Sequence, residues 1–211
     1  MPYYKSGDLV NYITSDFYNI SWETKLGNLR YIITGLKNIH SVNIIHRDFH
    51  SGNIFFGTID KKYPRFTEIT IGDLGLSKSA TESSDDNNNE NYGIIPYMAP
   101  EIFQGQKYTE ESDIYSFGMI MWEFMTGRRP FWDRVHDAEL IIEICDGLRP
   151  PIVTNKMSGY KTKIIESSDI GPVTKNNPGA IYNSRLLSGI IRSAMSTRSL
   201  RSQSIISEVG K

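Results

Sequence analysis

From Asp113 to Met125 the chain is apolar nearly all the way round a helix: Ile114, Phe117, Met119, Ile120, Met121, Trp122 and Phe124 leave no polar stripe. Such a segment predicts a fully buried helix, around which the rest of the chain must wrap. With 211 residues, 39% of them hydrophobic and 11% aromatic, the sequence has enough material for that wrapping. The same figures exclude a collagen-like or wholly unstructured polymer. Gly127 stands where such a helix would end on a left-handed cap.

Around this segment the sequence predicts further elements. A short helix starts near Ser6-Gly7-Asp8 and carries Leu9, Val10 and Ile13. A long one follows Ser21-Trp22-Glu23, with Leu26, Leu29, Ile32, Ile33, Leu36 and Ile39 at helical spacing. Ile54-Phe55-Phe56 and Ile69-Thr70-Ile71 read as two short strands. Leu140, Ile141, Ile142 and Ile144 mark another helix, which makes Cys145 a core thiol. A single cysteine forms no intrachain disulfide and fits a reducing compartment. The polar run 82–91 is expected to be a mobile loop.

Charge divides the chain unevenly. Residues 1–155 hold 14 Lys/Arg against 21 Asp/Glu, whereas residues 156–211 hold 9 against 3. With serines scattered among the later arginines, the boundary is expected near Asn155, leaving a basic Ser-rich tail (154–211) that is largely disordered. Within it, Leu186 to Met195 could form a short helix at most. The net charge of −1 argues against a nucleic-acid binder. No run approaches the roughly 18 apolar residues of a membrane span. A soluble, cytoplasmic protein is the expectation.

The chemistry lies in an ordered set of short motifs. His46-Arg47-Asp48 is followed five residues after the aspartate by Asn53; Asp73-Leu74-Gly75 comes directly after a predicted strand, and Ala99-Pro100-Glu101 precedes the buried helix opened by Ser112-Asp113. Phosphoryl transfer needs a carboxylate to orient a hydroxyl and accept its proton, and hard oxygen ligands to hold Mg²⁺ on phosphates. Asp48 suits the first task, Asn53 and Asp73 the second. The competing reading, loop capping by short polar residues, fits each of them singly.

In order and spacing the set resembles the catalytic half of a eukaryotic protein kinase over residues 1–153. The resemblance implies a mainly α (α+β) fold, a kinase-like C-terminal lobe with short β-hairpins and no N-terminal lobe. It implies ATP and Mg²⁺ as cofactors, and a protein substrate or signalling partner. By the same match Met1 would be a gatekeeper and Tyr4 would hydrogen-bond adenine through its backbone, with Asp8 on the ribose and Leu9 and Phe55 sandwiching the ring. Asp48 would be the proton acceptor, and Asn53 and Asp73 the metal ligands. His46 would be a packed histidine tying the loop to Leu74, and Asp113 an anchor for the catalytic-loop backbone. Arg47 would seek an anion from the 73–101 loop, either a phosphate or Asp85 and Asp86. Trp122-Glu123-Phe124 and Thr126-Gly127-Arg128-Arg129-Pro130-Phe131 look most like the tyrosine-kinase-like branch of Ser/Thr kinases.

Three departures qualify the implied activity. The match begins at the hinge, so the family's Gly-rich loop and ATP-positioning lysine have no counterpart in the sequence, and rate and affinity should suffer. His50 stands where Ser/Thr kinases place lysine, supplying less charge. Past Arg149-Pro150 the family's closing arginine is missing, so Glu101 is expected to lack its partner and the domain to be marginally stable. The resemblance therefore implies ATP-dependent phosphoryl transfer to Ser/Thr hydroxyls, with Tyr less favoured. A non-catalytic pseudokinase that docks partners is the alternative.

Overall fold

The computed structural model describes residues 7–58, 67–79, 90–151 and 170–209. Helix α1 (Leu9–Asp16) starts at Asp8, whose carboxylate accepts the Asn11 N–H at 2.8 Å. Helix α2 (Trp22–His40) is capped by Ser21 on the Thr24 N–H. Its buried face is Leu29, Ile32 and Leu36, whereas Leu26 is 48% exposed. Strand β1 (Ile44–Ile45) leads into the motif loop, and β2 (Ile54–Thr58) pairs antiparallel with β3 (Thr67–Ile71) in the register Ile54↔Ile71. Strand β4 (Lys78–Ser79) returns to β1.

Strand β5 (Tyr92–Gly93) precedes the short helix α3 (Pro100–Phe103) and the central helix α4 (Glu110–Thr126). Thr109 and Ser112 form a reciprocal capping box at its start, with Glu110, Glu111 and Asp113 favourably placed in the first turn. Gly127, at φ 72°, ends it, and a Cβ there would meet the Phe17 ring at 2.9 Å. The helix is less enclosed than its sequence predicts. Ile114 and Met121 are 47% and 41% exposed, while the polar Glu123 is buried.

Helix α5 (Ala138–Cys145) follows, then β6 (Arg185–Leu186) and α6 (Ser188–Val209). Two apolar clusters form. One joins α1, α2, β2 and α4; the other joins α3, α5 and the start of α6 through Ile102, Leu140, Ile144, Leu187, Ile191 and Ala194.

The basic tail departs from expectation. Residues 170–204 are packed against the domain, and the helix runs well beyond Met195. Gly171 donates to the Thr126 carbonyl at 2.7 Å, and Arg128 Nε donates to that of Gly171 at 3.0 Å. Arg198 pairs with Asp146 at 2.8 Å, and Arg201 grips both Glu139 oxygens at 3.0 and 2.8 Å. The charge asymmetry of the sequence is thus partly a complementarity between two packed helices. Few apolar residues anchor α6, and their effect depends on a matching α5 surface that no local pattern displays.

Candidate active site

The motif loop is held from below by Asp113, buried in the first turn of α4. Its Oδ2 accepts the His46 N–H at 2.8 Å and its Oδ1 the Arg47 N–H at 3.0 Å, while His40 Nε2 adds a contact at 2.8 Å. This grip supports the left-handed backbone of Arg47, at φ 70°. The Arg47 guanidinium lies over the Tyr108 ring, 4.5 Å from its centroid. Asp85 and Asp86, considered above as its anionic partners, lie outside the described residues, as do Met1 and Tyr4.

His46 is fully buried. Its Nε2 donates to the Gly72 carbonyl at 3.1 Å, and its ring stands edge-on to Phe49. Burial holds its pKa down, and Nδ1 has no hydrogen-bond partner among the described residues. Leu74, the residue expected to pack against it, sits in a single 3₁₀ turn and is 45% exposed. Gly75 lies in the same 3₁₀ turn. Asp73 itself is left-handed at φ 57°, and its Oδ1 accepts the Gly75 N–H at 3.3 Å. A Cβ on Gly75 would press on that oxygen at 3.1 Å, so glycine there makes room for the carboxylate.

Asp48 and Asn53 are both buried, and Asn53 Nδ2 donates to the Asp48 carbonyl at 2.9 Å. That bond fixes the amide and leaves Oδ1 as its acceptor. His50 Nδ1 accepts the Gly52 N–H at 3.1 Å, which puts the ring proton on Nε2, 3.5 Å from Asp48 Oδ2. Asp48, Asn53, Asp73, Asp8 and His50 line one cleft of about 420 Å³. Leu9 does not join them: it is 0% exposed in the core, and its neighbour Val10 faces the cleft. Phe55 is half-buried and pairs with Asp8 across a β-bridge.

The structure adds groups that sequence reading passed over. Beneath the loop, Tyr97 donates to the buried Glu123 carboxylate at 2.7 Å and contacts Ser51 Oγ at 3.1 Å. Burial raises the pKa of both Tyr97 and Glu123. Arg129 Nε stands 4.0 Å from Glu123. A lone glutamate inside an apolar helix was the available signal, since a buried charge requires partners. Tyr182, Asn183 and Ser184 also line the cleft, from a segment expected to be unpacked.

Glu101 is half-exposed and makes no ion pair among the described residues. The burial penalty expected for an unpaired carboxylate is correspondingly relieved by water. Arg149 donates to the Ile144 and Leu148 carbonyls and lies over Tyr115. Cys145 is half-buried, Sγ 3.8 Å from the Pro100 carbonyl, and burial raises its pKa. No helix among the described residues is long and apolar enough to cross a membrane.

Comparison with known proteins gives this geometry a family. The model for protein tyrosine and serine/threonine kinases matches residues 1–168. The probable serine/threonine-protein kinase roco5 of Dictyostelium discoideum is 31% identical over 167 residues, 76% of this chain and 6% of its own length. The dual specificity protein kinase splA of the same organism is 33% identical over 149 residues, 67% of this chain and 6% of its own. A putative serine/threonine-protein kinase/receptor R831 of Acanthamoeba polyphaga mimivirus is 32% identical over 135 residues, 63% and 8% respectively. The chain spans only a small part of the length of these relatives. With the family model covering most of its residues, it belongs to the protein tyrosine and serine/threonine kinase family.

Proposed function

We propose that the cleft transfers the γ-phosphoryl group of ATP to a protein Ser or Thr hydroxyl. The observation that carries this reading is the convergence of Asp48, Asn53 and Asp73 on one cleft. Asp48 orients the acceptor hydroxyl and takes its proton. Asn53 Oδ1 and the exposed Asp73 carboxylate are hard oxygens suited to Mg²⁺, which needs only one or two protein ligands beside phosphate and water. When bound, that ion neutralises charge developing on the phosphates.

Asp8 offers its second oxygen to a ribose while capping α1, and Phe55 is a further contact for the nucleotide. His50 takes the place of a fixed cation near the phosphate and can donate from Nε2. Asp113 and His46 act by positioning the loop. The C-terminal-lobe assignment and the tyrosine-kinase-like branch rest on the motif order and on Trp122-Glu123-Phe124. A cytoplasmic setting goes with ATP and a protein substrate. The neutral His50 favours a second reading, a docking module without transfer.

The test is transfer of labelled phosphate from Mg·ATP to a generic basic protein. Asp48→Asn should lower it by about 10²–10⁴-fold, the usual share of a positioned base. Equal signal from both proteins would remove the catalytic assignment and leave the docking module.

A further inference from the structure

Residues 182–184 line the cleft and run directly into β6, which pairs antiparallel with β5 in the register Tyr92↔Leu186 and Gly93↔Arg185. The Leu187 N–H donates to the Asn91 carbonyl at 2.7 Å, and the Asn91 N–H to Ser188 Oγ at 2.9 Å. At the other end Tyr182 is buried, its hydroxyl donating to the Pro130 carbonyl at 2.9 Å and its ring lying 4.1 Å from the Arg129 guanidinium. Arg185 Nη2 donates to the His136 carbonyl at 2.9 Å. The segment is therefore pinned on both sides of residues 183 and 184.

This pinned stretch shares its cleft with the base. A Cβ on Gly93, the strand partner of Arg185, would stand 3.9 Å from Asp48 Oδ1. Ser184, the residue before Arg185, lines the same cleft as Asp48, Asn53 and Asp73, and it is exposed. Arg129, on the same wall, offers counter-charge to a phosphate formed there.

We propose that residues 182–187 occupy the acceptor-peptide track and that Ser184 is an intramolecular phosphoacceptor. This rests on the transfer reading above. Ser184 Oγ forms a bond to the γ-phosphorus of ATP as the bond from that phosphorus to the bridging oxygen breaks. The hydroxyl proton passes to the Asp48 carboxylate, and ADP leaves.

The experiment incubates the full chain with Mg·ATP in the presence of a generic basic protein and maps phosphate by tandem mass spectrometry. The expected result is phosphate on Ser184 at a first-order rate that does not change on dilution. Ser184→Ala should lose that phosphate, Ser184→Thr should keep it, and Asp48→Asn should lose it along with labelling of the added protein. Labelling of the added protein with none on Ser184 would overturn this inference alone. Labelling of neither would overturn the transfer reading and this inference with it. A rate that falls in proportion to chain concentration would overturn the intramolecular route.

Discussion

Asp113 Oδ1 accepts the backbone N–H of Arg47 at 3.0 Å, across 66 residues of sequence. Its other oxygen takes the neighbouring His46 N–H, so one buried carboxylate fixes two consecutive peptide groups of the motif loop. Because the donors are buried with it, removing the acceptor strands them. Asp113→Ala is expected to cost about 3–5 kcal/mol, the range for breaking a buried charged contact. Asp113→Asn keeps one acceptor oxygen and should cost less. Urea unfolding midpoints of the two variants check the order, and an Ala variant as stable as the parent would refute the anchoring role.

The Glu123 carboxylate sits under the same loop, and burial raises its pKa. A raised carboxyl pKa means that ionisation opposes folding above the unfolded value, so a neutral isostere loses little at neutral pH. Glu123→Gln still accepts from Tyr97 and should stay within about 1 kcal/mol of the parent, a typical net hydrogen-bond contribution. Glu123→Ala leaves the Tyr97 hydroxyl stranded beside a cavity and should cost clearly more. Thermal unfolding of the pair measures this, and equal losses would refute it.

Acid should loosen the domain through two buried histidines. His136 Nε2 donates to the Phe131 carbonyl at 3.1 Å, and its Nδ1 accepts the Ile181 N–H at 3.0 Å. Burial holds its pKa below the ordinary 6.5, and Arg185 and Arg129 push it the same way; burial likewise lowers His46. The folded state therefore binds fewer protons than the unfolded one. Stability is full above pH 6.5 and declines as pH falls from there toward the lowered folded values. Melting temperatures of the Glu123→Gln variant, which removes the opposing carboxyl titration, should fall with acidity across that interval. A melting temperature that rises on acidification over this interval would contradict the burial argument.

Helix α6 is held by Ile191 more than by its arginines. Ile191→Ala removes a buried side chain from the α5 contact and should cost about 2–4 kcal/mol. Arg201 and Glu139 are solvent-exposed, so Arg201→Ala should shift stability much less, and less still in high salt. Amide hydrogen exchange along α6 distinguishes them: fast exchange in the Arg201 variant but not the Ile191 variant would reverse the assignment.

Several features were legible because their signals are local. Ser21 before a run of apolar residues at helical spacing marks the start of α2, whereas the opening read at Ser112-Asp113 falls inside α4, whose cap is Thr109. Alternation around Ile54 and Ile69 marks the paired strands. Other features were not legible. Leu9 reads as available to a ligand until α1 turns it fully inward, and no local signal marks Asp73 as the residue that takes the left-handed conformation. Nothing in the spacing of Arg198 and Arg201 reveals that Asp146 and Glu139 await them on another helix.

The sequence by itself determined which residue types stand in the motif loop and its flanking turns, because caps, periodicity and motif spacing act over a few residues. Only the tertiary structure decided which of them meet. Asp48, Asn53 and Asp73 share a cleft because Asp113 reaches across from α4, and Ser184 lines the same cleft because β6 pairs with β5. Such contacts depend on how distant surfaces fit in shape and charge. That fit exists only after the chain has closed on itself.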